Sequence, residues 1–437
     1  VSRYRRADIA ALVEADRVHR DVYVSEEIFA LEQKHFFANT WTYLGHASQV
    51  PEPGDYVTID IAGRPLLMVR QSDGGLRVLY NRCAHKGAQL VTDAGSNLGR
   101  TIRCPYHAWA YKLDGALLAV PAQGGYDGTR LKECETGRGL SAVRNVAVYR
   151  DFVFVKLSDA GPGFAEYFGD VLQSLDNLAD RSPQGKLRVE GGVLRNVIHC
   201  NWKMYLENIN DTVHPLSAHE SATTAAKALW AGQPDDAPKP MAMEQILPFG
   251  AGFEFFDRMG GRVFPNGHSV LGVNFSIHSG YGGLPAYEAA MKAAYGEERA
   301  RAILQQSPQN AVCFPSLAVK GSPQVIRVIR PLAVDRTLIE AWSFRAEGAD
   351  EVLFQRSMTY NRLVFSPMSP VAHDDVHLFE TIQRGLRAGG NEWVSLHRDF
   401  TRAELDRDIQ TVNGANEILM RNQFRAWARF MTLTMDA

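Results

Sequence analysis

The sequence predicts an α+β protein whose first half is mostly strand and whose second half is built on an antiparallel sheet. Three observations lead there. From Trp41 to Leu157 the chain runs in short alternating or fully apolar stretches separated by Gly-containing turns, the pattern of successive hairpins. Beyond Phe164 strands and helices both occur without regular alternation, which favours an antiparallel sheet over the parallel sheet of a βαβ repeat. A chain of 437 residues is long enough for two or three domains, each with its own core.

In order along the chain, residues 1–39 read as helical. Ile9, Leu12 and Val13, then Ile28, Leu31 and Phe36, recur at helical spacing. Residues 40–157 form the strand-rich domain. Val57–Ile61 alternates, Pro65–Arg70 is a buried run, Asp73-Gly74-Gly75 is a turn, and Leu76–Tyr80 follows. Thr101–Arg103 is a short strand, Tyr111–Leu117 a hairpin about Gly115, and Phe152–Leu157 the closing strand. Ser158–Gly163 is a linker, and the second domain takes residues 158–437. Its expected strands include Phe253–Phe256, Ser269–Val273, Val325–Ile329 and Leu338–Trp342. Helices are expected at 202–213, 285–305, 351–363, 375–388 and 415–433.

Composition is that of an ordinary globular protein, 45% hydrophobic and 22% charged with a formal net charge of −2. That balance gives no electrostatic footprint for nucleic acid or a membrane surface. No apolar run approaches the roughly 18–20 residues of a membrane-spanning helix. Arg5-Arg6 is followed by acidic, helical sequence rather than an apolar core, so a cytoplasmic location is expected over export. Cys134, Cys200 and Cys313 lack the spacing of a disulfide framework and read as isolated thiols.

The remaining cysteines sit in a motif. Cys83-Ala84-His85 is followed, after eighteen residues, by Cys104-Pro105-Tyr106-His107. Each half lies just beyond a strand and offers one sulfur and one imidazole. Two thiolates and two imidazoles can hold a zinc ion, or a Rieske [2Fe–2S] cluster with the cysteines on one iron and the histidines on the other.

A second block runs from Asn201 to His219. Glu207, Asp211 and His214 fall at i, i+4 and i+7, one face of a helix. Pro215 disfavours helical geometry at His214, so the helix should end there. Five residues span about 140° of an unbroken helix, so a turn after His214 is needed for it and His219 to converge. Two histidines and a carboxylate from elsewhere would make the facial triad of a mononuclear non-haem Fe(II) site.

Together the C-x-H…C-x-x-H pair, the N-W-K-x3-E-N-x2-D-x2-H-x4-H block and the late Asp374-Asp375 element resemble the large (alpha) subunits of Rieske non-haem iron aromatic-ring-hydroxylating oxygenases. The resemblance covers nearly the whole chain. It implies a β-sandwich Rieske domain followed by a helix-grip (START-like) catalytic domain, with residues 1–39 packed on the latter. It makes Cys83, His85, Cys104 and His107 the cluster ligands. It makes His214, His219 and Asp375 the Fe(II) ligands, with Asp374 the alternative to Asp375. Asp211 resembles the family's bridging aspartate, which passes an electron from the cluster of the neighbouring subunit, and Asn208 is carried over beside it. Arg327 matches a position where terephthalate-type members bind a carboxylate, and Arg384 is a second candidate. His373 and His377 read as solvent-facing or supporting residues.

The implied activity is hydroxylation, as cis-dihydroxylation, of an aromatic acid of the benzoate, phthalate or terephthalate kind with O2. Monohydroxylation or O- or N-demethylation is the alternative. No G-x-G-x-x-G follows a predicted strand and opens a helix, so electrons are expected from a separate reductase, with or without a ferredoxin. The expected assembly is a ring of three alpha subunits, alone or with three small beta subunits. Met241, Met243, Phe253, Phe255, Val270, Ile277 and Leu317 are apolar candidates for the substrate pocket. Two other classes compete. A pure electron carrier would leave the 201–219 block idle, and a zinc hydrolase would put zinc at both ligand sets.

Overall fold

Hairpins fill Phe37–Asp159, one of two units into which the chain divides; residues up to Phe36 and from Ala160 onward form the other. The computed structural model describes residues 3–95, 98–277 and 283–436. In the first unit three antiparallel sheets of three strands each are strung along the chain. Thr42–His46, Phe152–Lys156 and Asn145–Tyr149 make one, Tyr56–Ile61, Arg64–Arg70 and Leu76–Tyr80 the second, and Thr101–Arg103, Ala110–Lys112 and Leu117–Ala119 the third. Two apolar clusters fill the unit. Leu44, Leu66, Met68, Val78 and Val153 centre one, and Leu67, Leu79, Ile102, Trp109 and Tyr111 the other. Leu66 and Leu67 belong to different clusters because successive strand residues face opposite sides of a sheet.

The second unit is built on one eight-stranded antiparallel sheet. Its order is Leu187–Ile198, Arg336–Ala346, Val325–Ala333, Leu317–Lys320, Asn310–Cys313, Ser269–Leu271, Gly261–Val263 and Gln410–Val412. The long helices Glu351–Phe365, Pro370–Arg387 and Ile418–Thr432 belong to the same unit. None of the helices among the described residues is long and apolar enough to cross a membrane. The fold is therefore the expected α+β mixture of hairpins, helices and antiparallel sheet.

Several expected elements fall differently. Phe253–Arg258 is a helix rather than a strand, because its short apolar run cannot distinguish the two periods. The helix expected over 285–305 is two, Pro285–Tyr295 and Glu297–Gln305, broken at Gly296 with φ +79°. The helix expected over 375–388 begins earlier, at Pro370. Ser369 caps it by accepting from the Ala372 N–H at 3.0 Å, and Pro370 takes the first position, where its missing N–H costs nothing. Residues 6–36 hold short helices interrupted by a strand at Arg17–His19.

Glu32 ties three distant segments together inside the second unit. Its buried carboxylate accepts from Trp202 Nε1 at 2.9 Å, Lys203 Nζ at 2.5 Å and Trp427 Nε1 at 2.7 Å. The helix carrying Trp202 is thus held from its first turn by both an N-terminal segment and the last long helix.

Candidate active site

The two Cys/His loops share one backbone design. Cys83 N–H donates to Ala88 C=O at 2.8 Å and receives the Gly87 N–H on its own carbonyl at 3.0 Å. Cys104 N–H donates to Trp109 C=O at 2.8 Å and receives the Ala108 N–H at 3.1 Å. Each loop closes through one left-handed residue, Gly87 at φ +78° and Ala108 at φ +56°. For an alanine that conformation costs roughly 1–2 kcal/mol. The sulfurs point inward and are buried, whereas His85 is half-buried and His107 exposed. Tyr111 Oη lies 3.0 Å from Cys83 Sγ and accepts from the Ala84 N–H at 3.1 Å. Burial pushes the Cys104 thiol up, but the backbone N–H groups of His107 and Tyr106, with Cys83, outweigh it and hold the thiol below its ordinary range. The His85 and His107 rings meet edge to face at 4.8 Å, and His85 stacks on Trp109 at 4.8 Å.

These residues fit a two-iron cluster. His85 Nδ1 is buried without a hydrogen-bond partner among the described residues, as a ligand nitrogen should be. The second unit holds a separate group of donors that could bind a single ion.

That single-ion site is His214, His219 and Asp375, whose ligand atoms all lie within 4.8 Å of one another. The chain reaches this arrangement by a route the periodicity does not reveal. The helix begun by Asn201, whose side chain accepts from the Lys203 N–H at 3.2 Å, stops at Ile209, before Asp211. Asp211 then caps a turn, accepting from the N–H groups of Val213 at 2.8 Å and His214 at 3.1 Å. Glu207, Asp211 and His214 therefore do not share one continuous helix. His214 itself is helical, at φ −54° and ψ −35°, and Pro215 opens the short helix Pro215–Ala218 between the two histidines. The break precedes His214 because proline is tolerated at a first helical position and Asp211 is well suited to the turn.

Asp374 and Asp375 are neighbours on the helix Pro370–Arg387, and adjacent helical positions point about 100° apart. Asp375 Oδ1 lies 3.7 Å from His214 Nε2 and 3.6 Å from His219 Nε2. Asp374 Oδ2 lies 3.2 Å from the other nitrogen of His219, Nδ1. Asp211 Oδ2 takes the matching place for His214, 3.3 Å from Nδ1. Each imidazole thus has one nitrogen beside a supporting carboxylate and the other facing the common point. Neutral imidazoles held this way, with one carboxylate, are a donor set suited to Fe(II). Asn208 Nδ2 lies 3.1 Å from both His214 Nε2 and Asp375 Oδ1. Burial pushes the Asp375 carboxyl above its ordinary range, while burial of Asp211 is outweighed by His214 and the Val213 N–H, which hold it below. Burial works against a charge on His214 too, but Asp211 and Asp375 raise it overall. Arg398 Nη2 sits 3.5 Å from Asp211 Oδ1. His373 and His377 are exposed.

Two adjoining cavities of about 80 and 70 Å3 open beside this trio and share Asn208, Arg327, Val364, Phe365, Val371 and Asp375. Arg327 is only 5% exposed. Its Nη2 donates to Asn310 Oδ1 at 2.5 Å, and its guanidinium lies 4.6 Å from the Phe365 ring centre. Its Nε is buried without a partner among the described residues. Arg384 is exposed and lines neither cavity, which removes it as a substrate ligand: it is next to the inward-facing Gln383 and therefore points outward. Of the expected apolar lining only Ile277 is present; Phe249, Phe256, Met259 and Leu271 take the other places. Lys320, which belongs to no motif in the sequence, also lines the larger of the two cavities. Its strand Leu317-Ala318-Val319-Lys320 gives no sign in sequence that its last residue faces a cavity. A larger open cleft of about 970 Å3 shares no residue with these two.

A family model described as the Rieske [2Fe-2S] domain matches residues 40–140, and one described as the ring hydroxylating alpha subunit (catalytic domain) matches residues 177–432. The anthranilate 1,2-dioxygenase large subunit of Acinetobacter baylyi is 30% identical, over 95% of this chain and 89% of that protein. The toluate 1,2-dioxygenase alpha subunit of Pseudomonas putida is 29% identical, over 97% and 94%. Among solved structures, naphthalene 1,2-dioxygenase with indole bound superposes with a TM-score of 0.76 at 22% identity, covering 96% of this chain and 94% of that one. The Rhodococcus sp. naphthalene 1,2-dioxygenase gives 0.73 at 22% identity, covering 96% and 95%.

Proposed function

This chain belongs to the alpha subunits of the ring-hydroxylating oxygenases, and from that premise we propose that it cis-dihydroxylates an aromatic carboxylic acid. The family fixes the coarser statement: an oxidoreductase of the multicomponent dioxygenases with a Rieske [2Fe–2S] cluster and a mononuclear iron, served by separate electron-transfer proteins. The assignment of ligands and substrate is our own. Cys83, Cys104, His85 and His107 would hold the cluster, and His214, His219 and Asp375 the iron. When bound, these groups supply single electrons and a site for O2 activation. The working assembly is a ring of three alpha subunits, alone or with three small beta subunits.

The chain's own residues do the rest. Asp374 accepts from the Nδ1–H of His219, and Asp211 lies beside Nδ1 of His214 as its charge partner, an arrangement that favours each Nε2 as the ligating nitrogen. Asp211 remains 19% exposed, so it can also accept from a cluster histidine of a neighbouring protomer and serve as the bridge between them. Arg398 balances its charge. Phe249, Val364 and Val371 pack around the trio's cavity and limit water there.

The observation that carries the substrate is Arg327. It is a buried guanidinium facing the trio's cavity, and among the described residues it has no carboxylate partner. Such a group can clamp a carboxylate through charge-assisted hydrogen bonds. The anthranilate, toluate and 2-halobenzoate dioxygenases among the relatives support an aromatic acid. Product analysis with benzoates, phthalate isomers and salicylates, driven by a surrogate reductase, tests the reading. A cis-dihydrodiol from an aromatic acid is expected; turnover confined to neutral aromatics, or dealkylated products alone, would overturn it. Arg327→Ala should raise KM for the acid about ten- to a hundredfold, the worth of a charged hydrogen bond, and lower kcat much less. An unchanged KM would remove Arg327 from the site.

A further inference from the structure

Lys320 is 2% exposed and lies beside a catalytic-site cavity, a place where an ammonium group is costly. Its only hydrogen bond among the described residues is from Nζ to the Gln309 carbonyl at 2.8 Å, and the Tyr360 ring centre lies 5.8 Å away. An ammonium group has three donors, so this leaves two unmatched. No carboxylate among the described residues pairs with it. The contrast with the other buried lysine of this unit is direct, since Lys203 is matched by Glu32 at 2.5 Å.

The sheet register explains why Lys320 and Arg327 face the same space. Lys320 pairs with Val325 and Ala318 with Arg327, across antiparallel strands. Directly paired residues face the same side, as do residues two apart on one strand. Lys320 and Arg327 therefore project from one face of the sheet toward one cavity, each without an acidic partner. Burial, and next the charge of Arg327, hold the Lys320 amine well below its ordinary range, the environment an incoming anion would relieve.

We propose that Lys320 and Arg327 are two halves of one anion-binding wall, and that the preferred substrate is an aromatic ring bearing two carboxylates rather than one. This rests on the aromatic-acid reading above and narrows it. Each cation takes one carboxylate, and the ring is held between the sheet and the metal-ligand side of the cavity. Asp375 and Asp211 face the same cavity from the opposite elements, and they would repel a carboxylate placed away from the two cations.

The test is calorimetric binding of benzoate, phthalate, isophthalate and terephthalate to the cluster- and iron-loaded oxygenase, wild type and Lys320→Met, with Lys320→Gln as a second variant. Retention of the visible cluster absorbance checks that each variant is folded. At least one dicarboxylate should bind the wild type more tightly than benzoate, and that preference should fall by about tenfold or more in both variants, the loss of one charged hydrogen bond. A preference unchanged by either variant, or a wild type that binds benzoate at least as tightly as every dicarboxylate, overturns this proposal and leaves the aromatic-acid reading standing. Binding of none of the four acids overturns both.

Discussion

At the scale of single residues, the site depends on which carboxylates are kept ionised. Asp211 is held in its charged form by His214, the Val213 N–H and Arg398 despite its burial. Asp211→Asn keeps the size but cannot accept at both oxygens. The variant should retain the cluster spectrum and the iron content and lose nearly all turnover; wild-type-like turnover would refute the bridge. Glu207 behaves oppositely. It is partly buried, its Oε1 has no hydrogen-bond partner among the described residues, and burial pushes its carboxyl up from 4.5 to about 8. The folded protein therefore holds a proton there that the unfolded chain has already released across that interval. The stability Glu207 contributes is fully present below about pH 4.5, erodes as pH rises, and is gone above about 8. Glu207→Gln removes the titration and should become progressively more stable than wild type between pH 5 and 8. Parallel pH–stability curves in denaturant melts would rule this out.

At the scale of elements, what sequence could and could not reveal divides along periodicity. The alternating runs before Cys83, the Gly115 turn and the long C-terminal helices were legible because their apolar spacing is local. The break at Asn210 was not, because Asp211 acts as a turn cap and Pro215 as a first helical residue, roles the residue types allow but do not dictate. Nor was the division between Asp374 and Asp375, which rests on the angle at which the helix Pro370–Arg387 meets the histidines. That angle is set by contacts distant in sequence, among them Gln383 Oε1 accepting from the Asn201 N–H at 2.8 Å. Asp375→Ala should lose iron by metal analysis while its visible cluster absorbance persists; full iron occupancy in that variant would transfer the ligand role elsewhere. Arg384 shows the reverse case, a residue picked out by motif that the helix turns outward.

At the scale of the whole molecule, each unit has its own core, and the second is closed by a polar contact. Glu32 joins the N-terminal segment to the helices Trp202–Ile209 and Ile418–Thr432, three stretches remote in sequence. Its pattern in sequence, one acidic residue in a helical segment, is that of a surface charge. Glu32→Ala would leave Lys203 charged and buried with two indole N–H groups unpaired. The expected cost is about 3–5 kcal/mol, seen as a lower denaturant midpoint; a midpoint within error of wild type would show that the ion pair is dispensable. The order of the eight-stranded sheet was likewise unreadable, since its edge strands Leu187–Ile198 and Gln410–Val412 lie at opposite ends of the unit's sequence.

The placement of Lys320 and Arg327 on one face of that sheet, with His214, His219 and Asp375 on helices and turns opposite, bears on how such a protein can diversify. The proposed substrate-binding groups and the proposed metal ligands sit on separate pieces of backbone. On that reading, exchange of one or two side chains at alternate strand positions would redirect the protein from one aromatic acid to another without touching a ligand. Variation at 320 and 327 is then where a change of substrate would leave the metal-ligand trio undisturbed.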